Sequence, residues 1–395
     1  MIHLAEHKLC TACGACSARC PKSCIRMEPN SIGTVYPVID SDNCIECHAC
    51  EKVCPVLDTP TVNYPRKAYA AWSRNAEERR TSASGGIAAE LYRYALSQGY
   101  MAVGASQDKD FSVTHKLASN EKEITPFKNS KYVFSDAYDV FPKIKSIIKR
   151  RNKVIFVGLP CQVAALRKII KEDDNVILAD LVCHGTTPVE YLRQHITHIE
   201  RSIGKTTHRM SFRDPEKLTY TYTFTLYDKD GNCFYAQRTK DGDTYQYGYH
   251  RGISYRENCY HCQYAKPERV SDITLCDYTG LGKLAPCDYG HRKVSCILTN
   301  TERGDRFIQN LISEGNIHAD LRPVEEPIAG DQRLRGQLPK SKARKDFERL
   351  IVENANDFEK TMGQVVRRDT RRMKISRFVQ MPKRIARKLK RIIYR

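Results

Sequence analysis

The chain has 395 residues, with 65 Lys/Arg against 46 Asp/Glu, a formal net charge of +19. A hydrophobic content of 41% with 28% charged residues suits two or three folded domains at this length and excludes a disordered chain. No stretch approaches roughly eighteen consecutive apolar residues, which excludes a transmembrane helix, and the opening MIHLAEHKLC lacks the apolar run of a secretory signal.

Seventeen cysteines, nine of them between Cys10 and Cys54, set the chain apart. The number is odd, so complete internal pairing is excluded. A chain without an export signal is expected in the reducing cytoplasm, where cysteines serve as metal ligands or redox groups. The charge is uneven: residues 367–395 hold thirteen Lys/Arg and one Asp, a net of +12, leaving +7 for the rest.

Residues 1–60 form a cysteine-rich first domain with an internal repeat. Cys10-Thr-Ala-Cys13-Gly-Ala-Cys16-Ser-Ala-Arg-Cys20-Pro21 recurs as Cys44-Ile-Glu-Cys47-His-Ala-Cys50-Glu-Lys-Val-Cys54-Pro55. This is the 4Fe–4S run of bacterial-type ferredoxins, whose fourth cysteine ligates the other cluster. Cys10, Cys13, Cys16 and Cys54 are therefore expected to hold one cluster, and Cys44, Cys47, Cys50 and Cys20 the second. Pro21 and Pro55 keep the chain from folding back over the sites. Structural zinc would instead use separated CxxC pairs. Cys24, left over, reads as a small buried residue.

Asp58 to Pro65 reads as a linker, and a mixed α/β body follows over 66–330. Ala68 to Trp72 is a predicted strand. Ser84 to Gln98 is a predicted helix with Ser84 as cap, Ile87, Leu91 and Ala95 on one face and Gly99 past its end. Lys153 to Gly158 and Asn175 to Val182 are predicted buried strands, with a helix from Cys161 to Lys171 after the first. The alternation LTYTYTFTLY over 218–227, before Asp228-Lys-Asp-Gly231, predicts a β-hairpin.

Four of the eight body cysteines sit where chemistry could use them. Cys161 opens a helix, where a thiolate is stabilised. Cys183 ends the next buried strand, and Cys259 and Cys262 form a CxxC pair. Strands that end in cysteines deliver them to the crevice where open α/β sheets bind ligands. A four-thiolate site and scattered core cysteines are two readings of the same spacing. Ser82-Ala-Ser84-Gly85-Gly86 suits either a phosphate at a helix N-terminus or a capped glycine turn. Gly280-Leu-Gly282-Lys-Leu-Ala285 imitates a dinucleotide fingerprint, but Pro286 stops the helix that fingerprint needs.

Ser82–Gly86, Lys131-Tyr-Val133, GLPCQVAALR at 158–167, Cys183-His-Gly185 and Cys259-Tyr-His-Cys262 with Arg269, Ser271, Asp272 and Thr274 occur in family order. On these motifs the chain resembles the family of coenzyme F-420 hydrogenase/dehydrogenase beta subunits, over about 1–300 and more weakly through Gln332 to Phe347. The resemblance implies an α+β chain, a ferredoxin-like domain followed by a mixed α/β domain that binds FAD and one further 4Fe–4S cluster. It implies Cys161, Cys183, Cys259 and Cys262 as the ligands of that cluster. It also implies Ser82, Ser84, Gly85, Gly86, Lys131 and Asp277 as flavin-site residues. Cys276 stands where the family has glycine and Thr279 where it has tryptophan, and Cys276 is a rival for a ligand position.

The expected function is an iron–sulfur flavoprotein oxidoreductase. It would link an electron-carrier protein or reduced coenzyme to an organic substrate, with a deazaflavin-type coenzyme among the hydride carriers. The alternative is a non-catalytic subunit relaying electrons to a partner enzyme, polysaccharide biosynthesis being one setting implied by bacterial members. Residues 331–395 read as a helical extension with a basic tail. In that tail Ile385, Leu389, Ile392 and Ile393 share a helical face suited to anionic lipid at the inner membrane surface; a solvated tail is the plainer reading. No motif points to nucleic acid.

Overall fold

The computed structural model describes residues 2–170 and 172–393, with side chains described as far as residue 376. In the N-terminal unit, strands β1 (Ile25–Pro29) and β2 (Val35–Ile39) form an antiparallel hairpin. Two short helices, Ala15–Arg19 and Ala49–Lys52, pack on each other. Each cysteine run turns through two left-handed residues at matching places: Ala12 and Gly14 (φ 54° and 75°), then Glu46 and His48 (φ 48° and 55°). The sequence repeat is thus a backbone repeat. Gly14 is needed for a second reason, since a Cβ there would collide with Tyr138 of the body.

The body's strands begin with β3 (Lys67–Ser73), β4 (Tyr100–Gln107), β5 (Val113–Ala118), β6 (Ser135–Asp136), β7 (Lys153–Gly158) and β8 (Val176–Leu181). They continue with β9 (Arg209–Ser211), β10 (Thr223–Tyr227), β11 (Cys233–Arg238), β12 (Ile273–Asp277), β13 (Ser295–Thr299) and β14 (Ile317–Arg322). Nine form one mixed sheet in the order β14-β3-β13-β12-β8-β7-β4-β5-β6, while β9, β10 and β11 make a separate antiparallel sheet. Strands β12, β8, β7 and β4 run parallel at the centre of the large sheet. The apolar runs of β7 and β8 are buried on both faces, as central parallel strands require.

Helices Ile87–Ser97 and Glu302–Ser313 cover one face of this sheet, packing on Ile155, Val157 and Ile177. Helices Phe141–Lys149 and Pro160–Ile170 cover the other, on Val154, Phe156 and Leu178. Ala15 and Val53 of the N-terminal unit enter this second core directly. The unit is docked on the body beside the start of the Pro160–Ile170 helix, not tethered by a loose linker; Asn63 even bridges to Arg269 through the main chain.

Two sequence expectations need correction. Ser84 does not cap its helix: Gly86, at φ 87°, is the cap, and the Ser84 hydroxyl donates to the Val294 carbonyl (3.1 Å). The hairpin is shorter than TYTYTFTLY suggests, because β10 starts only at Thr223. Leu218 and Tyr222 take positive φ (65° and 53°), which breaks the alternation into a 3-10 turn over Thr219–Thr221. The buried Thr219 hydroxyl there donates to the Ser82 carbonyl (2.9 Å).

The C-terminal helices Lys342–Glu353 and Phe358–Ile393 share a core with helix Val189–Ile203 and β10, through Phe347, Phe358, Met362, Leu192 and Phe224. The face expected from Ile385, Leu389, Ile392 and Ile393 lies outside the described side chains. Among the described residues no helix is long and apolar enough to cross a membrane.

His195 locks the last helix in place. Its Nδ1 meets Glu359 (2.7 Å) and its Nε2 meets Asp243 (3.1 Å). Burial alone would lower the imidazolium's pKa, but the two carboxylates outweigh it and raise it to about 10. A pKa raised on folding stabilises below the unfolded value, about 6.5, and that stabilisation disappears as pH rises through about 10. Hydrogen-exchange protection of residues 358–376 is therefore expected to fall between these pH values, and His195→Gln to abolish the dependence. Protection that is flat with pH in the native protein would refute the lock.

Candidate functional site

The N-terminal thiols gather in two sets that cross between the repeats. Burial raises the pKa of Cys13, to about 12, and of Cys16, and both also feel Cys10 and Cys54. Cys20, by contrast, lines one small pocket with Cys44, Cys47 and Cys50, walled by Ile2, Ile25 and Ile39. Main-chain N–H groups point at the first set: Ala12 toward Cys10, Ala15 toward Cys13 and Ser17 toward Cys16. Such left-handed turns make an anion-binding nest of the kind found at iron–sulfur sites. Cys24 is buried as expected, but it is not isolated, since its Sγ lies 3.4 Å from that of Cys20.

The four body cysteines come together from three places. Cys161 sits in the first turn of the helix after β7, Cys183 just beyond β8, and Cys259 and Cys262 in and after the 3-10 turn Glu257–His261. Burial raises the Cys161 pKa well above normal, and Cys183, Cys262, Cys13 and Cys259 raise it further. Burial pushes Cys183 to about 12, with Cys259 and Cys262 adding to it. The appearance of Cys13 beside Cys161 brings the first N-terminal set next to the body set.

The raised pKa values of Cys13, Cys16, Cys161 and Cys183 mark places where a metal's positive charge would favour the thiolates. Among the described residues no three His, Cys, Asp or Glu side chains are grouped so as to hold a single metal ion. All-cysteine donor sets suit a cubane, in which each iron takes one thiolate. The all-sulfur donor sets therefore fit 4Fe–4S clusters.

A buried polar latch fixes the body set. Arg269, 1% exposed at its side chain, pairs with Asp180 on β8 (2.8 Å). It also donates to the carbonyls of Leu181 and Tyr264 (both 3.1 Å) and to Thr274 Oγ1 (3.2 Å). It thus ties the chain after Cys262 to the strand before Cys183. Asp272 accepts from the Leu178 N–H (2.8 Å), Arg167 (3.1 Å) and Arg303 (2.9 Å). These motif residues position the cysteine-bearing segments and do not line the cleft along the strand ends.

A cleft of about 660 Å³ opens along the carboxyl ends of β7 and β8, a volume within the range of cofactor sites. Its lining includes the start of helix Ile87–Ser97, with Ser84, Gly86, Ala88 and Ala89, and also Cys183–Thr186. Of the expected flavin-site residues, Ser82, Ser84, Gly86, Lys131 and Asp277 line it. Gly85 lies behind the wall, its N–H donating to Ser295 Oγ (2.9 Å), in a place where a Cβ would press on the Ala71 carbonyl. Ser82 donates to Glu78 (2.6 Å), which also pairs with Lys128 (2.7 Å) and Arg93 (2.6 Å). Lys131 Nζ is held by three carbonyls, of Pro126, Lys128 and Asn129 (2.9, 2.9 and 3.3 Å), so it shapes the 126–131 loop. Asp277 accepts from Arg213 (3.0 Å) and Tyr222 (3.3 Å).

Sequence reasoning missed His115, Arg213, Tyr222 and His250, which also line the cleft. They come from four separate elements, with no shared spacing to reveal them. His115 is buried with Nδ1 toward the Asp136 carbonyl (3.2 Å), and burial lowers its pKa to about 4. Cys276 lies in the cleft wall directly across the β12–β13 ladder from Cys296. Contact with Cys296 is the main cause of its raised pKa, ahead of burial, and none of Cys161, Cys183, Cys259 and Cys262 is among those causes.

The family described as the C-terminal region of coenzyme F420 hydrogenase/dehydrogenase beta subunits matches residues 151–324, and a 4Fe-4S dicluster domain matches residues 9–57. One subunit of the F(420)H(2) dehydrogenase of Methanosarcina mazei is 23% identical over 340 residues, 82% of this chain and 88% of that protein. An uncharacterized protein of Methanocaldococcus jannaschii is 21% identical over 196 residues, 42% of this chain and 54% of its own length. A chain of the F420-reducing NiFe hydrogenase complex from Methanosarcina barkeri aligns with a TM-score of 0.44 and 19% identity, over 76% of this chain and 92% of that one.

Removing the latch tests how the body set is positioned. Arg269→Ala leaves the Asp180 carboxylate buried without its cation, and is expected to cost about 3 to 5 kcal/mol in denaturant unfolding. A loss below about 1 kcal/mol would show that the pair does not hold the site.

Proposed function

From a chain that belongs to the family of coenzyme F420 hydrogenase/dehydrogenase beta subunits and carries a 4Fe–4S dicluster domain, we propose an oxidoreductase that joins a one-electron protein partner to an organic two-electron carrier. FAD in the cleft and three 4Fe–4S clusters complete this reading. When bound, the clusters supply single-electron transfer and the flavin supplies exchange in either one-electron or two-electron units.

The observation that carries the proposal is the order of the thiol sets. Cys47, of the Cys20/Cys44/Cys47/Cys50 set, is exposed. The Cys10/Cys13/Cys16/Cys54 set adjoins the body set through Cys13 and Cys161. Cys183, of the body set, lines the cleft. Cys16 packs on the same apolar cluster as Cys20 and Cys44, which supports a series of sets from the surface to the cleft.

Two stretches of the cleft lining each have chemistry for part of a dinucleotide. The first turn of helix Ile87–Ser97 offers unpaired main-chain N–H groups, with Arg93 and Lys128 beside it, and suits a diphosphate. The Cys183–Thr186 stretch, next to the body thiols, suits the redox-active ring. Arg213, Asp277, Tyr222 and His250 form the polar wall available to an organic partner. The name of the Methanosarcina mazei relative points to reduced coenzyme F420 as that partner.

Anaerobically purified protein is expected to yield about one FAD and about twelve irons per chain. Cys183→Ala should remove about four irons and one cluster's low-temperature EPR signal. Full iron in that variant would defeat the body-cluster assignment. No flavin, with added FAD failing to bind, would leave a subunit that only relays electrons to a partner.

A further inference from the structure

Arg256 is 4% exposed and stands at the seam between the N-terminal unit and the body. Its Nη1 donates to the Thr11 carbonyl (3.0 Å), and its guanidinium lies 4.3 Å over the Phe134 ring. Its Nε and Nη2 have no acceptor. The adjacent carboxylate, Glu257, is already paired with Lys340 (2.6 Å) and Arg344 (3.2 Å). A guanidinium does not lose its proton, so this is a buried positive charge with two unmet donors.

The charge is directed at one thiol set. Thr11, whose carbonyl Arg256 holds, lies between Cys10 and Cys13 of that set. The main chain of the same residue is fixed to the body site. Its N–H donates to the Thr186 carbonyl (2.8 Å) and its carbonyl accepts from the Cys259 N–H (3.0 Å). At the other N-terminal set the lysine in the pocket wall, Lys22, is exposed, where water screens its charge.

We infer that Arg256 is a positioning residue that donates its free N–H groups to the cluster held by Cys10, Cys13, Cys16 and Cys54, raising that cluster's reduction potential relative to the other N-terminal cluster. The inference rests on the cluster reading above. The physics is direct: each added electron makes a cluster more negative, and a fixed cation nearby in a poorly screened site favours the more negative state.

The test uses full-length holoprotein, purified without oxygen and titrated by EPR. Arg256→Gln is expected to lower the midpoint of one N-terminal cluster and leave the other unmoved at unchanged iron content. Arg256→Lys, which keeps the charge, should lie closer to native than to Gln. Native protein carrying guanidino-15N arginine gives a second readout should either variant lose iron. Pulsed EPR should then show nitrogen coupling on one N-terminal cluster. Clusters present with neither a selective shift nor a coupling would overturn the role of Arg256 alone. The absence of any 4Fe–4S signal would overturn the cluster reading beneath it.

Discussion

Ala15 and Val53 pack into the same apolar core as Val163, Leu166 and Phe156, and this seam governs the geometry of the site. It presses the first cysteine run onto the helix that begins at Pro160, so that Cys13 and Cys161 become neighbours. Several weak contacts hold the same seam. Gln263 Nε2 donates to the Pro55 carbonyl (2.5 Å), as does the Tyr264 hydroxyl (3.3 Å), and Arg256 reaches Thr11. Burial of apolar surface supplies the non-directional attraction, and these polar contacts fix the register. Without the seam the N-terminal unit and the body would be two redox modules with no reason to be close.

The body is organised to deliver its side of that contact. Parallel strands β7 and β8 end together, and each is followed at once by a cysteine. Arg269 and Asp272 then join the 259–274 segment to β8 from within the protein. The cleft forms on the same carboxyl edge. One set of strand ends therefore serves both as thiol carrier and as cofactor wall, as expected of an open α/β sheet.

The sequence was legible where a site is local. The two cysteine runs carry their own spacing, and the crossing of Cys20 and Cys54 follows from the geometry of the turn. The body set was legible only in part. Spacing places Cys161 and Cys183 at strand ends, but no local rule brings Cys259 and Cys262 to them. The resemblance suggested it; Arg269 and Asp180 show how the chain achieves it. Ser84 looked like a helix cap because serine before an apolar run usually is one. Here the Val294 carbonyl takes its hydroxyl, and Gly86 accepts the left-handed turn at no steric cost. The alternation of TYTYTF failed for a tertiary reason, the anchoring of Thr219 beneath the Ser82 loop. Arg213, Tyr222, His250 and His115 converge only in three dimensions, and nothing in the linear chain marks them.

In the proposed reading the Cys10/Cys13/Cys16/Cys54 set and the body set hold clusters close enough to act as one conduit. EPR of the fully reduced, anaerobic protein tests it most directly. The expected result is spin coupling between two clusters, seen as broadened, split lines that collapse to isolated spectra in Cys161→Ala. A native spectrum that is already a simple sum of non-interacting clusters would contradict it.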